Sequence, residues 1–176
     1  TALPNPSTIK IGLTNEGRIS LHQGATDIGQ GSNTVIAQIT SDAIGLSIEN
    51  IDLVSPDTFL TPDCGKTSAS RQTYVTGKAA YNAGLKLRSE ILRLSNMGND
   101  SLITIEKNEI IISNQGKRQK IDLSALQLIE NNYVIVAEET YDPPTTSLDE
   151  NGQGIPYAVY GYGAQMAEIT VDTELG

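Results

Sequence analysis

Asp57-Thr-Phe-Leu-Thr-Pro-Asp-Cys-Gly-Lys-Thr-Ser-Ala-Ser-Arg-Gln-Thr-Tyr-Val-Thr-Gly-Lys-Ala-Ala80 runs a hydroxyl-rich loop, punctuated by proline and glycine, directly into a helical pattern. From about Ser70 to Leu94, Val75, Ala79, Ala83 and Leu87 recur at i+4, with Ala80, Ile91 and Leu94 nearby, which predicts a long helix with one apolar face. Gly77, Ala80 and Gly84 lie close to one face. An interior glycine costs about 1 kcal/mol against alanine, so this cluster predicts close packing against another backbone. A loop that sets Thr67, Ser68 and Ser70 at a helix start offers hydroxyls, free amides and the positive end of a helix dipole together. That combination predicts an anion site, with phosphate as the best fit. Arg71 in the first turn opposes the dipole; a bound anion, a carboxylate partner or a surface salt bridge would each account for it.

Upstream, Thr8-Ile-Lys-Ile-Gly-Leu-Thr14 and Arg18-Ile-Ser-Leu-His-Gln23 alternate apolar and polar residues around a turn at Asn15-Glu-Gly17, which predicts a β-hairpin. In it His22 reads as a half-exposed strand residue. Gly24-Ala-Thr-Asp-Ile-Gly-Gln-Gly31 follows, with three glycines in eight residues before a helical stripe of Ile36, Ile39 and Ala43 that Gly45 ends. A second glycine-rich loop thus opens a second helix. Its spacing does not fit the dinucleotide pattern G-x-G-x-x-G. Asn50-Ile-Asp-Leu-Val-Ser55 is a short strand. Cys64-Gly-Lys-Thr67 looks like the end of a P-loop, but Leu60 stands where that motif needs its first glycine.

Downstream, Ser101–Glu106 and Glu109–Ser113 read as a second hairpin that Arg118–Asp122 extends, followed by a short helix at Ser124–Ile129 capped by Asp122 or Ser124. Tyr133–Glu139 is a further strand, Asp142–Gly154 a polar connection, and Tyr160–Asp172 a closing strand. Strands and helices mix without a strict βαβ rhythm. The expected class is α+β, a mixed and largely antiparallel sheet packed against two main helices, with residues 1–176 as one subdomain.

A formal net charge of −9 disfavours nucleic acid and anionic lipid as partners. No apolar run reaches the length of a membrane span. With one cysteine, Cys64, and one histidine, the chain cannot close a His/Cys metal site, and the lone thiol fits a reducing, cytoplasmic setting. The N-terminus has neither Met nor a secretory pattern, so the chain is expected to be processed, split or cut from something longer.

Read together, Gly24–Gly31, then Thr61-Pro-Asp-Cys-Gly65 with Ala69-Ser-Arg-Gln72 and Thr76-Gly77, and finally Tyr162-Gly-Ala-Gln-Met-Ala-Glu-Ile-Thr-Val-Asp172, resemble the molybdopterin-binding large subunit of the molybdenum hydroxylases. That family includes xanthine dehydrogenase and aldehyde oxidoreductase. The resemblance covers nearly the whole chain. It implies part of an oxidoreductase that hydroxylates an aldehyde or an N-heterocycle with water as oxygen source. It also implies a molybdopterin cofactor, with or without a cytosine nucleotide, whose molybdenum is held by the pterin dithiolene.

By motif position, Gly29, Gln30, Gly31 and Ser32 would line one side of that cofactor, and Thr67, Ser68, Ala69 and Ser70 the other. Ala25 departs from the second glycine common in the family. The resemblance places the catalytic glutamate in a Gly-Glu-Gly segment beyond this chain, so no catalytic residue and no metal ligand is assigned here. It implies the remaining segments of the large subunit, together with iron–sulfur and flavin subunits or domains, as partners. The competing expectation is a stand-alone α+β module whose hydroxyl loop meets a phosphorylated ligand or a partner protein.

Overall fold

The computed structural model describes residues 4–160 and 163–176. Alternation puts Ile9, Ile11 and Leu13 on the buried face of β1 (Ser7–Thr14), and β2 (Ile19–His22) returns antiparallel against it. Gly17 closes the intervening turn at φ 81°, a left-handed conformation open to glycine without steric cost. β3 (Ile51–Val54) lies parallel to β2. A parallel pair needs a crossover, and α1 (Ser32–Ile44) supplies it. β7 (Tyr133–Tyr141) adds antiparallel to the other edge of β1, giving the order β3-β2-β1-β7. β4 (Leu102–Glu106), β5 (Glu109–Asn114) and β6 (Lys117–Asp122) form a second, antiparallel sheet. The class is the α+β one expected, with the strands divided between two sheets.

α2 (Gln72–Ser95) packs on α1, β1 and β7, burying Val75, Ala79, Ala83, Leu87 and Ile91 in a core that reaches Ile103, Ile110 and Ile112 of the second sheet. A Cβ on Gly84 would sit 2.7 Å from the Cβ of Ala43, and one on Gly77 would sit 2.8 Å from Cδ1 of Ile39. The backbone approached by these small residues is therefore α1. Arg88 reaches from α2 to donate to the carbonyls of Ile44 (2.8 Å), Asn99 (3.0 Å) and Ser101. One guanidinium thus closes the C-terminal end of α1 and fastens the entry to the second sheet.

Three boundaries differ from expectation. α2 begins at Gln72, because Ala69 and Ser70 are left-handed, at φ 52° and 54°. The short helix expected at Ser124–Ile129 is a single 3-10 turn, Leu123–Ala125, because Asp122 accepts from Ser124 N at 2.9 Å and ties the chain into a tight local turn. Of the closing strand, Gly161 and Tyr162 lie outside the described residues, and 163–172 forms no strand. Its alternating pattern has no ladder to join among the described residues, so Met166, Ile169 and Val171 stand exposed. Alternation marks which residues can share a face; hydrogen bonding to a neighbour makes the strand.

Candidate functional site

β2 is followed by the fully buried Gln23, whose side chain sets the base of the glycine-rich loop. Its Oε1 accepts from Ala25 N at 2.9 Å and its Nε2 donates to Asn33 Oδ1 at 2.6 Å. Above that base the loop closes on Asp27. Its carboxylate accepts from the amides of Gly29 (2.8 Å), Gly31 (3.3 Å) and Asn33 (3.1 Å). These donors, Asn33 first and Gly29 next, hold the Asp27 carboxyl below its ordinary pKa. The amides of Gly31 and Asn33 at the start of α1 are thus satisfied from within.

What this loop leaves open is its glycine faces and two side chains. Gly29 (φ 100°) and Gly31 (φ 82°) have nothing within 4 Å of where a Cβ would stand. Gln30 is exposed, with Oε1 accepting from Ile28 N at 2.7 Å. Ser32 is buried at the first position of α1, and its Oγ has no hydrogen-bond partner among the described residues. An unpaired buried hydroxyl costs about 1–3 kcal/mol, so its persistence points to a ligand-facing role.

The second loop is stitched to the first. Cys64 Sγ accepts from Gly24 N and donates to the carbonyl of Thr8, both at 3.1 Å. A Cβ on Gly24 would meet Pro62 O at 2.3 Å, so the two backbones touch. Thr67 Oγ1 donates to Thr26 O at 2.6 Å, and Gln72 Nε2 donates to Thr67 Oγ1 at 3.1 Å. The expectation that the two loops lie together holds, although the Thr67 hydroxyl proton is spent on joining them. Ser68, Ala69 and Ser70 are exposed. Left-handed Ala69 and Ser70 precede right-handed Arg71, and α2 has no side-chain cap at its start. Two non-glycine residues held left-handed cost about 1–2 kcal/mol each, a strain typical of ligand sites.

Two residues behave differently from their expected roles. His22 is buried, not half-exposed: Nδ1 meets Leu60 O at 2.9 Å and Nε2 meets the Tyr133 hydroxyl at 2.7 Å, so it anchors the second loop to the sheet. Arg71 makes no ion pair with a carboxylate among the described residues. It is buried and donates to the carbonyls of Asn5, Pro6 and Cys64 and to Asn5 Oδ1, clamping the N-terminal segment to the loop. Beside it lies a cavity of about 370 Å³, bordered by Lys66, Ala69, Tyr74 and Tyr157 but by no residue of Gly24–Gly31. Of the groups that build the site, Asp27, Gln23 and Asn33 were missed by motif reading. The run Asp27-x-Gly29 is an Asx-turn pattern that could have revealed the first.

Among the described residues no group of three or more His, Cys, Asp or Glu could hold a metal ion, and no helix is long and apolar enough to cross a membrane. A family model described as a molybdopterin cofactor-binding domain matches residues 1–176. The chain is 30% identical over 173 residues to the 6-hydroxypseudooxynicotine dehydrogenase complex subunit gamma of Paenarthrobacter nicotinovorans, covering 93% of this chain and 20% of that protein. It is 36% identical over 81 residues to the putative xanthine dehydrogenase molybdenum-binding subunit of Escherichia coli strain K12, covering 46% of this chain and 11% of that protein. The chain therefore spans about a fifth or less of the curated relatives it matches first. In fold it resembles the aldehyde oxidoreductase of Desulfovibrio desulfuricans, with a TM-score of 0.59 and 24% identity over 88% of this chain and 15% of that one.

Proposed function

Because the chain belongs to the molybdopterin cofactor-binding domain family, we propose that its two stitched loops are two walls of the molybdopterin site in a molybdenum hydroxylase. Gly29, Gln30, Gly31 and Ser32 form one wall, and Thr67, Ser68, Ala69 and Ser70 the other. The observation that carries this reading is the orphaned Ser32 hydroxyl, buried beside two glycines with open space above them. A polar ligand with bulk where a Cβ would be is what such a cradle fits. In this arrangement the Gln30 amide and the Ser32 hydroxyl bond the cofactor's polar edge. The Ala69 amide and the Ser70 hydroxyl meet its anionic or oxygen-rich part, and Thr67 keeps the walls in register.

The enzyme built around this subdomain, residues 1–176, converts a C–H bond of an aldehyde or an N-heterocycle to C–OH with oxygen from water. When bound, the cofactor supplies the metal that takes up the two electrons released. The cofactor is the pterin or its cytosine dinucleotide. The catalytic glutamate, the other segments of the large subunit, and the iron–sulfur and flavin groups lie in other parts of the assembly, which works in the cytoplasm. The chain by itself is inactive.

The test is made in the assembled enzyme with Gln30→Ala and Ser70→Ala, reading molybdenum per protein, turnover and the melting midpoint. Neither side chain belongs to the apolar core, so metal content is expected to fall while the melting midpoint holds. Full metal loading and unchanged turnover in both variants would show the loops to be structural turns.

A further inference from the structure

Asp27 is the only acidic residue in the loop Gly24–Gly31, and it sits where an anionic ligand of that loop would sit. Its carboxylate gathers the amides of Gly29, Gly31 and Asn33, and its ionisation is favoured by those amides and that of Gln30 against an opposing desolvation, with no charged side chain among the causes. A second anion cannot share the same donors without facing the carboxylate at close range.

We propose that Asp27 is a positioning residue, a built-in anion that holds the glycine loop in its cofactor-ready shape and keeps an outside anion off that loop's amides. This rests on the reading of the two loops as cofactor walls. With its amides turned to Asp27, the first loop meets the cofactor through the Gln30 amide, the Ser32 hydroxyl and the Cβ-free faces of Gly29 and Gly31. Two carboxylate oxygens serve three amides. An asparagine offers one acceptor oxygen and an NH2 group that cannot accept. A glutamate keeps both acceptor oxygens on a side chain one methylene longer.

The experiment uses the assembled enzyme with Asp27→Asn and Asp27→Glu. Amide hydrogen exchange is followed by mass spectrometry in peptides covering residues 24–35, alongside molybdenum per protein and the melting midpoint. In Asp27→Asn, exchange of this segment is expected to rise about tenfold or more and molybdenum content to fall severalfold. The melting midpoint should stay within about 3 °C, since the change is on an exposed loop. Asp27→Glu should restore both exchange and metal content. Unchanged exchange in Asp27→Asn overturns the role of Asp27 and leaves the two-wall reading standing. Raised exchange with full metal loading overturns the positioning role together with the placement of the cofactor on this loop. A Glu variant that falls as far as the Asn variant overturns the proposal, because the shape of the side chain rather than its charge would then be responsible.

Discussion

At the scale of the residue, burial pushes the pKa of His22 down, against an opposing pull from the carbonyl of Leu60; Lys10 adds to the lowering and Glu130 counters it. A carbonyl only accepts, so Nδ1 carries the proton towards Leu60 and Nε2 accepts from the Tyr133 hydroxyl. The folded state thus prefers the neutral ring. Above the unfolded pKa of about 6.5 both states are neutral and the anchor is intact. As pH falls below that value the unfolded chain takes up the proton first, and stability is lost until the folded pKa is passed. The melting midpoint should drop as the pH falls below about 6.5, and His22→Gln should flatten that part of the profile. Equal slopes in both proteins would remove His22 as the cause. Arg71 is the contrasting case: burial lowers its pKa as well, yet a guanidinium stays charged in proteins. Its charge is spread over carbonyls of Asn5, Pro6 and Cys64 in place of an acid.

At the scale of the element, the two helices differ at their starts and depend on each other in their middles. α1 begins with the amides of Gly31 and Asn33 held by Asp27, and α2 begins after a strained, uncapped turn. The contact between them is set by missing side chains. In an isolated helix Gly84→Ala would be favourable by about 1 kcal/mol. Here the new methyl meets Ala43 Cβ at 2.7 Å and Thr40 O at 3.2 Å, neither of which is a flexible chain end. Overpacking of this kind costs about 1–3 kcal/mol, so the net effect should be destabilising. A denaturation midpoint that rises in Gly84→Ala would show that the helices separate freely. Because both loops hang from these helices, that separation would also spread the two walls.

At the scale of the whole molecule, the chain spans about a fifth or less of the relatives it matches, and in the proposed reading its two loops are walls whose base is supplied by another part of the assembly. The purified 176-residue chain, supplied with cofactor, aldehyde and electron acceptor, is expected to show no hydroxylase turnover. General-base activation of water needs a group placed within hydrogen-bond reach of it. Turnover above a boiled control would overturn that assignment. The secondary elements were largely legible before folding, because alternation in β1 and β2, the i+4 stripe of α2 and the stop at Gly45 are set by neighbours along the chain. The two site loops were legible for the same reason: glycines and hydroxyls ahead of helical stripes are local signals. The tertiary structure alone decided the rest. Arg71 finds its carbonyls some 65 residues upstream, His22 is buried by a loop and a strand that arrive from Leu60 and Tyr133, and Ser32 loses its partners only when α1 docks. Residues 163–172 show the limit from the other side, since their alternation is as regular as that of β1 but no described strand pairs with them. A helix satisfies its own backbone, whereas a strand, a buried charge and an orphaned hydroxyl are defined by what the fold brings to them.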